Sequence, residues 1–229
     1  ALRMRLLDPT RLLDRLAPLG RLLFSPAAGL LWLVAVALAA LACLVSFPAL
    51  KADAATLASS QRGLWMAWLS YPFIKAQHEF GHALAVRRAG GAVHEMGVTL
   101  LFFTPAPYVD ASAANGFERR RDRVRVSTAG IAVELVLAAG AAAVWFAVQP
   151  GLVRDLALTV LLICSVSTIV FNGNPLLRLD GYHVMADALN LPNLAARSSA
   201  WWAALAMRVL HGRDAPPPAR GISATTRRP

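Results

Sequence analysis

Hydrophobic positions in this chain fall into long runs separated by short stretches crowded with arginine. Ala27 to Leu50 carries no charge and exceeds the ~20 apolar residues needed to cross a hydrocarbon core. Gly63 to Ala89 is apolar as far as Lys75 and polar beyond it, Ser127 to Gln149 is interrupted only by Glu134, and Leu156 to Phe171 is uncharged throughout. The pattern predicts about four transmembrane helices, with a kink at Pro72 in the second and a short outer loop from Lys51 to Arg62 before it. Residues 2–24 alternate Leu with Arg at roughly helical spacing, which predicts an amphipathic surface helix broken by Pro9 and Pro18. After Gly90-Gly91, the segment VHEMGVTLLFF (93–103) is rich in β-branched and aromatic residues and predicts a strand of a small hairpin, ended by TPAP. FNGNP (171–175) interrupts the last apolar run, and broken helices at membrane depth survive only against protein or a wet cavity. The expected fold class is therefore mainly α, a polytopic membrane protein with one small β element. Residues 1–26 form an amphipathic cytoplasmic-face helix, 27–195 the core, and 196–229 a surface helix followed by a Pro- and Arg-rich tail.

Composition agrees with this reading: 57% of residues are hydrophobic, only 16% are charged, and the mean hydropathy is +0.51. The net charge of +10 suggests nucleic acid until its distribution is considered. Arg3, Arg5, Arg11, Arg15 and Arg21 precede the first apolar run. Arg87, Arg88 and Arg119 to Arg125 separate the second from the third, and Arg178, Arg197, Arg208 and Arg213 follow the fourth. Cations at span ends are what positive-inside sorting produces, so the expected partner is the bilayer and no nucleic acid. By the same rule both termini and the 90–126 loop are expected on the cytoplasmic side. The first apolar run is too long for a cleaved signal peptide, and a chain that starts at Ala1 reads as a piece of something longer. Cys43 and Cys164 lie inside apolar runs and read as small hydrophobes, while Trp65, Trp68, Trp145, Trp201 and Trp202 read as interfacial anchors.

Chemistry concentrates in QHEFGHALAV (77–86). His78 and His82, four apart, share one helix face and can bind one Zn²⁺, with Glu79 as general base for a water. A lone HExxH also arises by chance in soluble helices, but ionisable residues inside an apolar run are costly and point to function. A third ligand is required. Ala85 and Arg88 occupy the positions where an extended motif on the same helix would supply Gly and a third His. Glu134 and Asp180 remain. The second and fourth spans run in the same direction, which brings Asp180 to the depth of the motif. Asp180 is thus the expected ligand, with Glu134 supporting the ligands or the helix packing. Lys75 either orients substrate or pairs with Glu134, and the pair is the preferred reading. His183 either supports Asp180 or lies on the surface. His94-Glu95 lacks its second His, Val98 standing there, and reads as a strand-edge pair. His211 is read as uninvolved.

HEFGH on a membrane helix, followed about 100 residues later by NPLLRLDG, resembles the site-2 protease family of intramembrane zinc metalloproteases. FTPAPYVDASAA, AGIAVELVLA and FNGNPLLRLDGYHV are similar to its bacterial branch of peptide zinc metalloproteases, and the likeness covers roughly residues 60–195. The resemblance implies zinc held by His78, His82 and Asp180, Glu79 as catalytic base, and a peptide or transmembrane-protein substrate, with export or secretion components as partners. Departures are Leu177 where the family often has a second Pro, and Gly130-Ile131 with Glu134 where it often has Gly-Pro and Asn. They bear on substrate positioning rather than on zinc. Asn172 and Asn174 are expected to offer polar groups to an unwound substrate, and the 93–103 strand to pair with it. The rival expectation is a non-catalytic membrane subunit of an export system, which would not need Glu79.

Overall fold

The computed structural model describes residues 2–101, 104–191 and 194–211. The chain divides into two compact units, residues 1–185 and 186–229. The first begins with strand β1 (Leu2–Leu7), short helices α1 (Thr10–Arg15) and α2 (Ala17–Leu23), and the long apolar α3 (Pro26–Val45). Helices α4 (Phe47–Ala58) and α5 (Gln61–Arg88) follow, then β2 (Met96–Leu101), β3 (Thr104–Val109) and a 3₁₀ turn at Ser112–Gly116. Helices α6 (Arg120–Ala147) and α7 (Leu152–Val166) come next, α7 running into a π-helical turn, Ser167–Asn172. Helix α8 (Asp180–Ala188) crosses into the second unit, which holds α9 (Leu194–His211), with the exposed pair Trp201 and Trp202 on it. The Pro- and Arg-rich tail from 212 onward lies outside the described residues.

Local chemistry accounts for the helix ends. Ser25 and Ser60 cap α3 and α5 by accepting from the Ala28 and Gly63 N–H groups. Pro26 sits in the first turn of α3, where no N–H is needed. Helix α5 stops where Gly90 takes a left-handed φ of +89°, and the Gly91 N–H then closes back on the Val86 carbonyl.

Among the described residues, three helical stretches are long and apolar enough to cross a membrane: Pro26–Val45, Arg120–Ala147 and Leu152–Asn172. The second expected span is the 28-residue helix α5, but its C-terminal half is too polar to join them. Pro72 lies inside α5. The loop expected at Lys51 to Arg62 is mostly helix α4, because the chain turns at Ser46 and Pro48 starts a new helix.

The N-terminal stretch also differs from expectation. LRMRLL repeats with period two rather than 3.6, and it forms β1, so the amphipathic helix is confined to the short α1 and α2. The sheet is antiparallel with order β1-β2-β3. TPAPYV does not end the hairpin but is its second strand. Asp110 N–H donates to the Glu95 carbonyl, so the alternation turns the backbone of Val109, Pro107 and Pro105 away from β2. The two prolines therefore sit where no ladder N–H is required. Both edges of β2 are taken, by β1 and β3, so residues 96–101 cannot receive a peptide as an added strand.

Two apolar clusters flank the centre of the first unit. One joins Ile74 of α5 to Ala138, Ala142 and Trp145 of α6 and Leu158, Leu161 and Cys164 of α7. The other joins Leu13 of α1 to Ala83 to Val86 of α5 and Val126 and Ala129 of α6. Leu13 is wholly buried, which at about 25 cal/mol per Å² contributes ~1.5–3 kcal/mol. Between the clusters, α5 presents His78 and His82, and α6 presents Gly130 and Glu134.

Candidate metal centre

Helices α5 and α6 approach closely where Gly81 faces α6: a Cβ there would lie 2.8 Å from Val133 Cγ2 and 3.1 Å from the Ala129 carbonyl oxygen. The decisive small residue, Gly130, is the next residue of α6 after Ala129. A Cβ on Gly130 would collide with the imidazoles of both His78 and His82. Glycine here leaves room for two histidines to face one another across the helix pair.

Asp180 arrives from the other side. The π-helical turn at 167–172 ends in a bond from the Gly173 N–H to the Thr168 carbonyl (2.6 Å). Gly181 packs on that turn so tightly that a Cβ would lie 2.7 Å from Asn172 O and from Gly173 C and O. The glycine after Asp180 thus lets the start of α8 sit against the turn, which sets Asp180 over the histidines.

Three ligand atoms converge. His78 Nε2 and His82 Nε2 lie 3.1 Å apart, and Asp180 Oδ2 lies 3.0 Å from the first and 3.4 Å from the second. His82 Nδ1 faces the Val126 carbonyl at 2.7 Å. A carbonyl can only accept, so Nδ1 carries the proton and Nε2 of the neutral ring presents a lone pair. His78 Nδ1 lies 2.9 Å from Glu134 Oε1. The contact has ion-pair distance but not hydrogen-bond alignment, and Nδ1 is otherwise unpartnered, as is Asp180 Oδ2. The nearby carboxylate favours a proton at Nδ1 of His78 as well. Two imidazole lone pairs and a carboxylate oxygen then point at one spot, an arrangement that repels itself unless a cation sits there. His78, His82 and Asp180 fit a metal ion, and both histidines are buried.

Behind the triad lies a polar network. Glu134, with none of its surface exposed, accepts from Lys75 Nζ (2.6 Å), Thr168 Oγ1 (2.9 Å) and Asn172 Nδ2 (3.1 and 3.2 Å). Lys75 also donates to Ser167 Oγ at 2.6 Å. The Lys75–Glu134 pair is therefore formed. Asn172 is buried, and its amide hydrogens are committed to Glu134 and Ser167 rather than free for a substrate. The hydroxyls of Ser167 and Thr168 escaped sequence reasoning, since nothing in an apolar run marks which hydroxyls a buried carboxylate will recruit.

Glu79 borders a cavity of about 710 Å³ with His78, Asp180, Lys75 and Asn172, walled on its apolar side by Tyr71, Leu162, Val166 and Phe171 and on another by Ala106 and Pro107 of β3. Glu79 Oε2 accepts from the Val109 N–H at 3.2 Å, which ties it to the outward edge of β3. Two expected residues lie apart. The Asn174 side chain caps its own turn, accepting from the Leu176 N–H. His183 is exposed, with its ring against Tyr182. Glu95 is not a ligand: it binds Arg3 (3.0 Å) and the Tyr108 hydroxyl (2.5 Å), which pins β1 and β3 to the start of β2.

No protein-family model, curated protein or solved structure matches this chain.

Proposed function

We propose that this protein is a membrane zinc endopeptidase that cleaves membrane or membrane-delivered peptides, with His78, His82 and Asp180 as metal ligands and Glu79 as general base. The observation that carries the reading is the convergence of two imidazole lone pairs and one carboxylate oxygen beside the Glu79 carboxyl at an open cavity. Zinc suits a two-His, one-carboxylate set, and His78, His82 and Asp180, with ligand atoms 3.0 to 3.4 Å apart, would hold it. When bound, zinc supplies Lewis acidity and brings the pKa of a water toward about 7.

The chain's own residues supply the rest. Glu79 takes a proton from the attacking water and delivers it to the departing amine. Between these events its second oxygen stays anchored on the Val109 N–H. Strand β3 offers a substrate backbone the outward carbonyls of Pro105 and Pro107, beside the cavity. Glu134 holds the Nδ1 face of His78 and, through Lys75, Thr168 and Asn172, fastens the π-helical turn that supports Asp180.

The test joins metal analysis to cleavage. Purified full-length chain is expected to hold about one zinc, and Asp180→Ala to lose it. Glu79→Gln is expected to keep the zinc while losing on the order of 10²- to 10⁴-fold in turnover of a fluorogenic peptide library in proteoliposomes. Full activity in Glu79→Gln, or a folded wild type free of zinc after incubation with it, would sink the proposal. The second of these results would favour a non-catalytic membrane subunit of an export system.

A further inference from the structure

A second cavity, of about 310 Å³, lies between α2 and the C-terminal end of α5, away from the metal ligands. Its floor is apolar, from Leu13 and Leu84, and Gly20 opens one wall. Arg21, Arg87 and Arg88 stand at its sides. Asp14 neutralises Arg87, which donates through Nε at 2.6 Å. Among the described residues no carboxylate pairs with Arg21 or Arg88, and both are exposed. The cavity thus carries two cations without a carboxylate partner, beside the small residues Ala17 and Gly20.

Its level in the fold is set by the chain. Helix α2 ends at Leu23, and the apolar helix α3 starts at Pro26, so α2 lies where a membrane begins. Leu12, Leu19, Leu22 and Leu23 on α1 and α2 are exposed, as expected of a segment resting on acyl chains. The arginines of the cavity therefore sit at headgroup depth, and cations there attract anionic lipid.

We infer that this cavity is a binding site for the phosphate of an anionic phospholipid, gripped by Arg21 and Arg88, with the adjoining acyl carbons beside Ala17 and Gly20. Helix α5 carries His78 and His82, so an occupied site braces the ligand-bearing helix against α2.

The test titrates short-chain phosphatidylglycerol, phosphatidylcholine and inorganic phosphate into the full chain in neutral detergent, following the unfolding midpoint. Phosphatidylglycerol is expected to raise the midpoint of wild type at concentrations where phosphatidylcholine does not. In R21Q/R88Q its half-saturation should weaken about 25-fold, roughly fivefold per arginine. R11Q/R15Q removes the same charge from the neighbouring α1 but not from the cavity, and should stay within about twofold. Gly20→Leu narrows the cavity without changing charge and should also lose the response; its Cβ would meet nothing within 4 Å. Equal loss in R11Q/R15Q, or an undiminished response in Gly20→Leu, would overturn the site. Saturation by inorganic phosphate with no added effect of phosphatidylglycerol would overturn the lipid as its ligand.

Discussion

Gly130→Ala adds one methyl group at the most crowded point of the metal centre. That methyl would overlap Cε1 and Nε2 of His78 and Nε2 of His82. The rings cannot simply lean away, because His82 is bonded to the Val126 carbonyl and His78 abuts Glu134. Gly81 already brings the two helix backbones close, so α5 and α6 cannot part without opening their packing. Overpacking of this kind costs about 1–3 kcal/mol. Without metal a ring can give up its Val126 or Glu134 contact and turn off the triad, which relieves much of the overlap; with metal both rings must stay on it. The strain therefore falls on the bound state, and at about 1.4 kcal/mol per tenfold it weakens metal affinity roughly 5- to 150-fold. Competition with a chromophoric chelator measures this directly. Gly140→Ala is the control, on the same helix with nothing within 4 Å of its new Cβ, and should bind as wild type does. Equal affinity in Gly130→Ala and Gly140→Ala would refute the claim that glycine makes room for the ligands.

Lys75→Met should destabilise the protein by about 3–5 kcal/mol in detergent unfolding, because it strands the buried Glu134 carboxylate. Lys75→Met with Glu134→Gln should cost less than the two separate losses combined; additive losses would mean the pair is not coupled. Gly181→Ala should bind an added metal ion more weakly than wild type, since its methyl would push α8 off the Asn172–Gly173 backbone and carry Asp180 with it. The sheet should respond to acid. The Tyr108 hydroxyl, then Arg3, hold Glu95 below the usual carboxylate range. The stability this contributes is complete above the unfolded Glu pKa of about 4.3 and fades as pH falls through the lower folded value. Hydrogen exchange of the β1 amides should accelerate below about pH 4 in wild type. In Glu95→Gln it should be faster at neutral pH and lose that acid dependence.

Much of the site was legible because its signals are local. Four-residue spacing puts His78 and His82 on one face of any helix, and an apolar run long enough to cross a membrane declares itself by length. The pairing of Lys75 with Glu134 followed from charge in an apolar setting, where an unpaired ion is too costly. What the sequence left open depended on contacts between distant segments. LRMRLL becomes a strand because β2, about 90 residues further along the chain, is there to pair with it. Whether Asn172 serves a substrate or the protein depended on whether a buried carboxylate lay within reach. Gly130 had no local reason to be glycine, and its role exists only because another helix points two imidazoles at it. Periodicity along one helix is a property of the chain; convergence of side chains from several elements is a property of packing, and only the tertiary structure decides it.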